Sequence, residues 1–164
     1  MWFKYPLIIL LFFLFALLQV SFLPHFSIMG VVPNLVFILF FLFIFFEREN
    51  QGGETFFTVI IAGFFLDIFS TSFLGKSILL LLVMYLFLRA VTHFLKQKQG
   101  KYIIVYFMGL FSLCFVLYAL SMYSLFSISI FLHLICNLLF ALIGFYVYKI
   151  IYKNSDANNQ LKLL

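Results

Sequence analysis

The sequence predicts an all-α integral membrane protein, a bundle of six transmembrane helices. Of its 164 residues, 66% are hydrophobic and only 9% are charged. Long apolar runs alternate with short polar breaks, and the basic residues flank the runs rather than interrupt them. A soluble core of this length could not hide 27 Phe side chains, so the solvent for most of the surface must be lipid. The net charge of +5 has the placement of a topology signal, which argues against a nucleic-acid partner and for membrane lipids.

The first run follows Lys4 like a signal peptide, but no small-x-small cleavage site closes it, so residues 5–23 read as an uncleaved first span. Pro33 suits the first turn of the second span, residues 32–46, where a missing N–H is harmless. That span is short for a core about 30 Å thick, which calls for local thinning, little tilt or length borrowed from its flanks. After the polar break at Gln51-Gly52-Gly53, the third and fourth spans cover 55–73 and 77–91. The fifth and sixth cover 102–123 and 128–152, and residues 154–164 form a polar tail. The aromatic-rich runs read as lipid-facing packing rather than cofactor boxes.

Orientation follows from charge. Lys4, Arg48, Arg89, Lys96, Lys98, Lys101, Lys149, Lys153 and Lys162 fall on one side and Lys76 alone on the other, which makes both termini cytoplasmic. Arg89, Lys96, Lys98 and Lys101 form a basic segment that serves as a topology determinant or a surface for anionic lipid.

Asp67 is the only acidic residue inside an apolar run. A carboxylate near the bilayer centre costs about 2.5–3.5 kcal/mol on insertion scales, so the fold must offset it. Gly63, Asp67, Ser70 and Leu74 fall on one helical stripe, with Gly63 permitting close approach of a neighbour. His133 and Asn137, four residues apart, share a face of the sixth span. Gln19, Ser21 and Asn34 also belong to outer halves, so spans one, three and six and the head of span two are expected to converge there. The cluster has two readings. In one, Asp67 bonds to Ser70, Thr71, Asn137 or His133 and ties helices together. In the other, the cluster lines an outward groove or pocket for a partner helix or a solute. Cys114 and Cys136 read as small packed side chains, and His25, His93 and His133 are scattered, so no metal or cofactor is expected. One carboxylate and one His, with no nucleophile-elbow, metal-ligand or phosphate-cradle motif, predict a protein that is not an enzyme.

The chain between Pro33 and Arg89 resembles the signature of the MreD family of bacterial rod shape-determining membrane proteins. The matching pieces are Pro33-Asn34-Leu35, Gly63, Leu66-Asp67-Ile68, Ser70 and Leu74-Gly75. Many relatives carry Asp in place of Asn34 and Gly in place of Thr71. The resemblance implies a non-enzymatic scaffold of the cell-elongation machinery in the bacterial cytoplasmic membrane. Such a protein would bind the transmembrane helix of an MreC-like partner and act indirectly with MreB, RodA and the elongation transpeptidase in lateral peptidoglycan synthesis. The alternative is a solute-binding membrane subunit, similar in six-helix layout to the substrate-capture subunits of energy-coupling-factor transporters. Their small-residue docking pattern is missing around Ala16, which has Phe12 and Val20 four residues away.

Overall fold

A computed structural model describes residues 4–27, 30–46, 52–69, 73–95, 103–122 and 128–161. Among them the chain is all-helical: α1 (Lys4–Leu17), α2 (Leu35–Phe45), α3 (Gly52–Ile68), α4 (Lys76–Leu95), α5 (Ile103–Met122) and α6 (Ile128–Leu161). Past α1 the chain continues as a π-helical turn, Leu18–Phe22, and a 3-10 turn, Leu23–Phe26. Three helical stretches are long and apolar enough to cross a membrane: Tyr5–Phe26, Ile103–Met122 and Ile130–Ile150.

The short helix α2 occupies the centre. It packs on α1, α3, α4 and α6, and its rings reach α5. Eight of its 11 residues are buried. A helix apolar all round belongs in a protein core or a membrane, and here its neighbours cover it.

An aromatic ladder fixes α2 against its neighbours. Phe37, Phe41 and Phe45 repeat every four residues on α2 and meet Phe107, Phe111 and Phe115 at the same spacing on α5. Ring centroids lie 5.1 Å apart for Phe41–Phe111 and 5.0 Å for Phe45–Phe107, both edge-on. Phe145 of α6 closes the ladder at 4.8 Å from Phe107. Edge-to-face pairs add about 0.5–1.5 kcal/mol each beyond their packing. The expectation of lipid-facing aromatic runs is therefore corrected for α2 and α5: Phe37, Phe40, Phe41, Phe107 and Phe111 are core residues. Phe56 and Phe64 of α3 do face outward.

Several boundaries also move. Asn34, not Pro33, opens α2: its side chain accepts from the Phe37 N–H, and Pro33 lies just outside the helix. Helix α3 stops at Ile68, five residues short of the expected end, which takes Leu74 off the Gly63–Asp67 stripe. Helix α4 extends to Leu95 and α6 to Leu161, into the segment expected to be a tail.

In lipid the water-transfer term largely disappears, but the lost contacts of a cavity remain. Truncating Phe41 to Ala should lower unfolding stability in detergent by at least about 2 kcal/mol. The same truncation at the outward Phe64 should cost much less, as thermal unfolding of the two variants would show.

Candidate functional site

The polar side chains gather at two helix N-termini. Asp67, 2% exposed, is the last residue but one of α3. The chain then folds back, and its carboxylate accepts from the backbone N–H of Gly75 at 2.6 Å and of Ser77 at 2.9 Å. Gly75 is the residue that opens α4, since its carbonyl takes the first intrahelical bond from Leu79. Capping normally falls to the side chain of that residue, and glycine has none. Asp67 therefore caps α4 from the preceding helix. Both carboxyl oxygens accept, one bond each, at the positive end of the helix dipole.

Magnitudes favour this arrangement. A hydrogen bond contributes about 0.5–1.5 kcal/mol net, and leaving a buried donor unpaired costs about 1–3 kcal/mol, so the pair of bonds favours holding the carboxyl group here. Two local features permit the geometry. Gly75 has φ +99°, a backbone that side-chain-bearing residues rarely adopt. At Gly63, a Cβ would stand 2.5 Å from the Ile78 Cα and 2.9 Å from its N, so only glycine lets α3 and α4 approach this closely. The hydroxyl of Ser77 beside the cap is fully buried and has no hydrogen-bond partner among the described residues.

The second site is the N-terminus of α2, where the first four backbone N–H groups lack helical partners and side chains meet three of them. Asn137 Oδ1 of α6 accepts from Asn34 N at 2.7 Å. Gln19 Oε1, on the π turn, accepts from Val36 N at 3.3 Å, and Asn34 Oδ1 accepts from Phe37 N at 3.0 Å. The remaining amide hydrogens point away from the helix. Asn137 Nδ2 donates to the His133 carbonyl at 2.7 Å, and Asn34 Nδ2 donates to the Tyr118 hydroxyl at 3.5 Å. The His133 ring bonds the backbone of Val32. Together these groups line a pocket of about 420 Å³.

The expected single cluster is thus two. Asn34, His133 and Asn137 come together, joined by Gln19, but with α5 in place of α3. Asp67 and Gly63 instead serve the α3–α4 hairpin with Gly75, and it is the backbone of α4 that reaches Asp67. Leu74 lies in the turn and is 76% exposed. Ser70, Thr71, Lys96, Lys98 and Lys101 lie outside the described residues. Arg89, exposed on α4, donates to the Tyr85 hydroxyl at 2.9 Å with its guanidinium 5.9 Å from that ring's centroid. Sequence reasoning missed Tyr118, which lies one turn from the end of α5; its signal is a phenol within an apolar run. Cys114 and Cys136 are free thiols. No group of three metal-ligating side chains occurs among the described residues.

Comparison with family models, curated proteins and solved structures gives no match for this chain. What fold and sites define is an all-helical protein with three helices of membrane-spanning character and helix N-termini capped from neighbouring elements.

Two outcomes follow at the α4 cap. Asp67→Leu orphans a buried and a half-buried N–H group and should cost about 2–4 kcal/mol of unfolding stability, whereas Ser77→Ala should change it by less than about 0.5 kcal/mol. Gly75→Ala should cost about 1–2 kcal/mol through its backbone alone, measurable by the same denaturation series.

Proposed function

We propose that this chain is a six-pass, non-enzymatic membrane scaffold with both termini cytoplasmic. In this reading it seats the transmembrane helix of an MreC-like partner and so contributes to lateral cell-wall synthesis and rod shape. The sequence resemblance between Pro33 and Arg89 supports the partner's identity. The charge asymmetry across the spans supports the orientation. The burial of α2 supports counting it as a span despite its length.

The observation that carries the reading is an apolar groove along α6. Its lower part, about 440 Å³, lies between α1, α2 and α6, and a second hollow continues it past Phe140 towards Pro33. On α6 the outward wall is Leu132, Ile135, Leu139, Ile143 and Val147, in steps of three and four residues. The 15 steps from Leu132 to Val147 rise about 22 Å, most of a hydrocarbon core. An apolar stripe at this spacing is what a second helix packs against. Gly144 serves the contact with α2 instead, since a Cβ there would stand 2.7 Å from Leu42 Cδ1.

Gly63 and Asp67 are poor probes of such a partner, because both hold the α3–α4 hairpin. Ile143→Trp and Val147→Trp fill the groove from exposed positions. Each should reduce co-purification with an MreC-like protein by roughly tenfold, the effect of about 1.4 kcal/mol, while Leu79→Trp on α4 should not. Equal recovery in all three variants, with normal rod shape, would defeat the reading.

A further inference from the structure

The pocket at the head of α2 has properties that the scaffold reading does not use. Its volume, about 420 Å³, falls in the ordinary range for small-molecule sites, about 300–1,000 Å³. Polar side chains reach it from three separate stretches besides the α2 head itself: Gln19 from the π turn, Tyr118 from α5, and His133 and Asn137 from α6. Phe115 and Tyr118 supply aromatic wall, and no Asp, Glu, Lys or Arg is among the described lining residues.

The polarity of the pocket follows from helix capping. Backbone N–H groups at Asn34, Val36 and Phe37 can be satisfied only by oxygen, so each of three carboxamides turns its oxygen to α2. That fixes the assignment of all three amides and leaves their NH₂ groups facing elsewhere. Asn137 and Asn34 direct theirs to His133 and Tyr118. Gln19 Nε2, on a half-buried side chain that lines the pocket, donates to no protein atom among the described residues. The π turn that carries Gln19 is itself a departure from regular helix of the kind that recurs at functional sites.

We propose that this pocket binds an uncharged molecule through a hydrogen-bond-accepting carbonyl, with Gln19 Nε2 as the donor and the Phe115 and Tyr118 rings against a flat or apolar portion. An anion would find no counter-charge, and a ligand offering only donors would meet oxygens already engaged. An amide or ester carbonyl has the required chemistry, and it can come from a soluble carboxamide or from a membrane glyceride. The site is separate from the groove along α6, and either can exist without the other.

Saturation-transfer NMR on the full-length protein in lipid nanodiscs tests the site, with benzamide as probe and benzoate as its charged counterpart. Benzamide should bind, and benzoate should bind at least roughly tenfold more weakly. Gln19→Glu keeps an oxygen for Val36 N but removes the donor, and should weaken benzamide roughly tenfold. Val20→Trp fills the pocket from an exposed position without touching any of these bonds, and should abolish the signal. Dioleoylglycerol doped into the nanodisc should compete if the natural carbonyl belongs to a lipid; failure to compete assigns the site to a soluble ligand. The proposal is overturned if benzamide gives no transfer, if benzoate binds equally well, or if Val20→Trp binds benzamide like the parent protein.

Discussion

The structure depends on how helix ends are satisfied where water is scarce. An α-helix leaves its first N–H groups without partners, and in hydrocarbon each such group costs several kcal/mol. In this chain α4 begins with glycine and α2 follows an extended approach through Pro33, so neither is fully capped by its own opening residue. Asp67 makes up the deficit for α4, and Asn137 and Gln19 for α2. Each cap links two elements, so local satisfaction of a helix end and the tertiary arrangement are the same set of bonds.

This economy gives the polar side chains roles that apolar packing cannot fill. Ladders of Phe on α2, α5 and α6 provide close, edge-on contact, but apolar surface alone does little to prefer a neighbouring helix over lipid. A carboxylate that reaches two specific N–H groups admits one register only. Gly63 and Gly75 act with Asp67 as one device. The first lets the helices meet, the second turns the backbone, and the acid holds the new helix by its start. The functional proposals stand beyond this frame: the groove on α6 is apolar and long, whereas the pocket by α2 is polar and compact.

Sequence alone conveyed the helical architecture, because apolar run length survives any packing arrangement. It also singled out Asp67, through the cost of a carboxylate in an apolar run, and paired His133 with Asn137 through helical spacing. What it could not convey was the partner of Asp67. Backbone N–H groups have no letter in a sequence, and the fold-back between Ile68 and Lys76 decides which of them the acid meets. Nor could it tell core Phe from surface Phe. In a soluble protein alternating polarity makes that distinction, whereas here both faces of α2 are equally apolar. The central position of α2 was hidden for the same reason, although its shortness was the available clue. Tyr118 escaped notice because a phenol in an apolar run carries no spacing that names its partner, Asn34, 84 residues away.

The most direct measurement is amide hydrogen exchange, resolved by residue, in the protein and in Asp67→Leu. If a carboxylate from α3 holds the start of α4, the Gly75 and Ser77 amides exchange slowly in the parent protein. They should then accelerate selectively in the variant, while amides in the middle of α5 keep their protection. Fast exchange at both residues in the parent protein, or unchanged slow exchange once the acid is gone, would contradict the account.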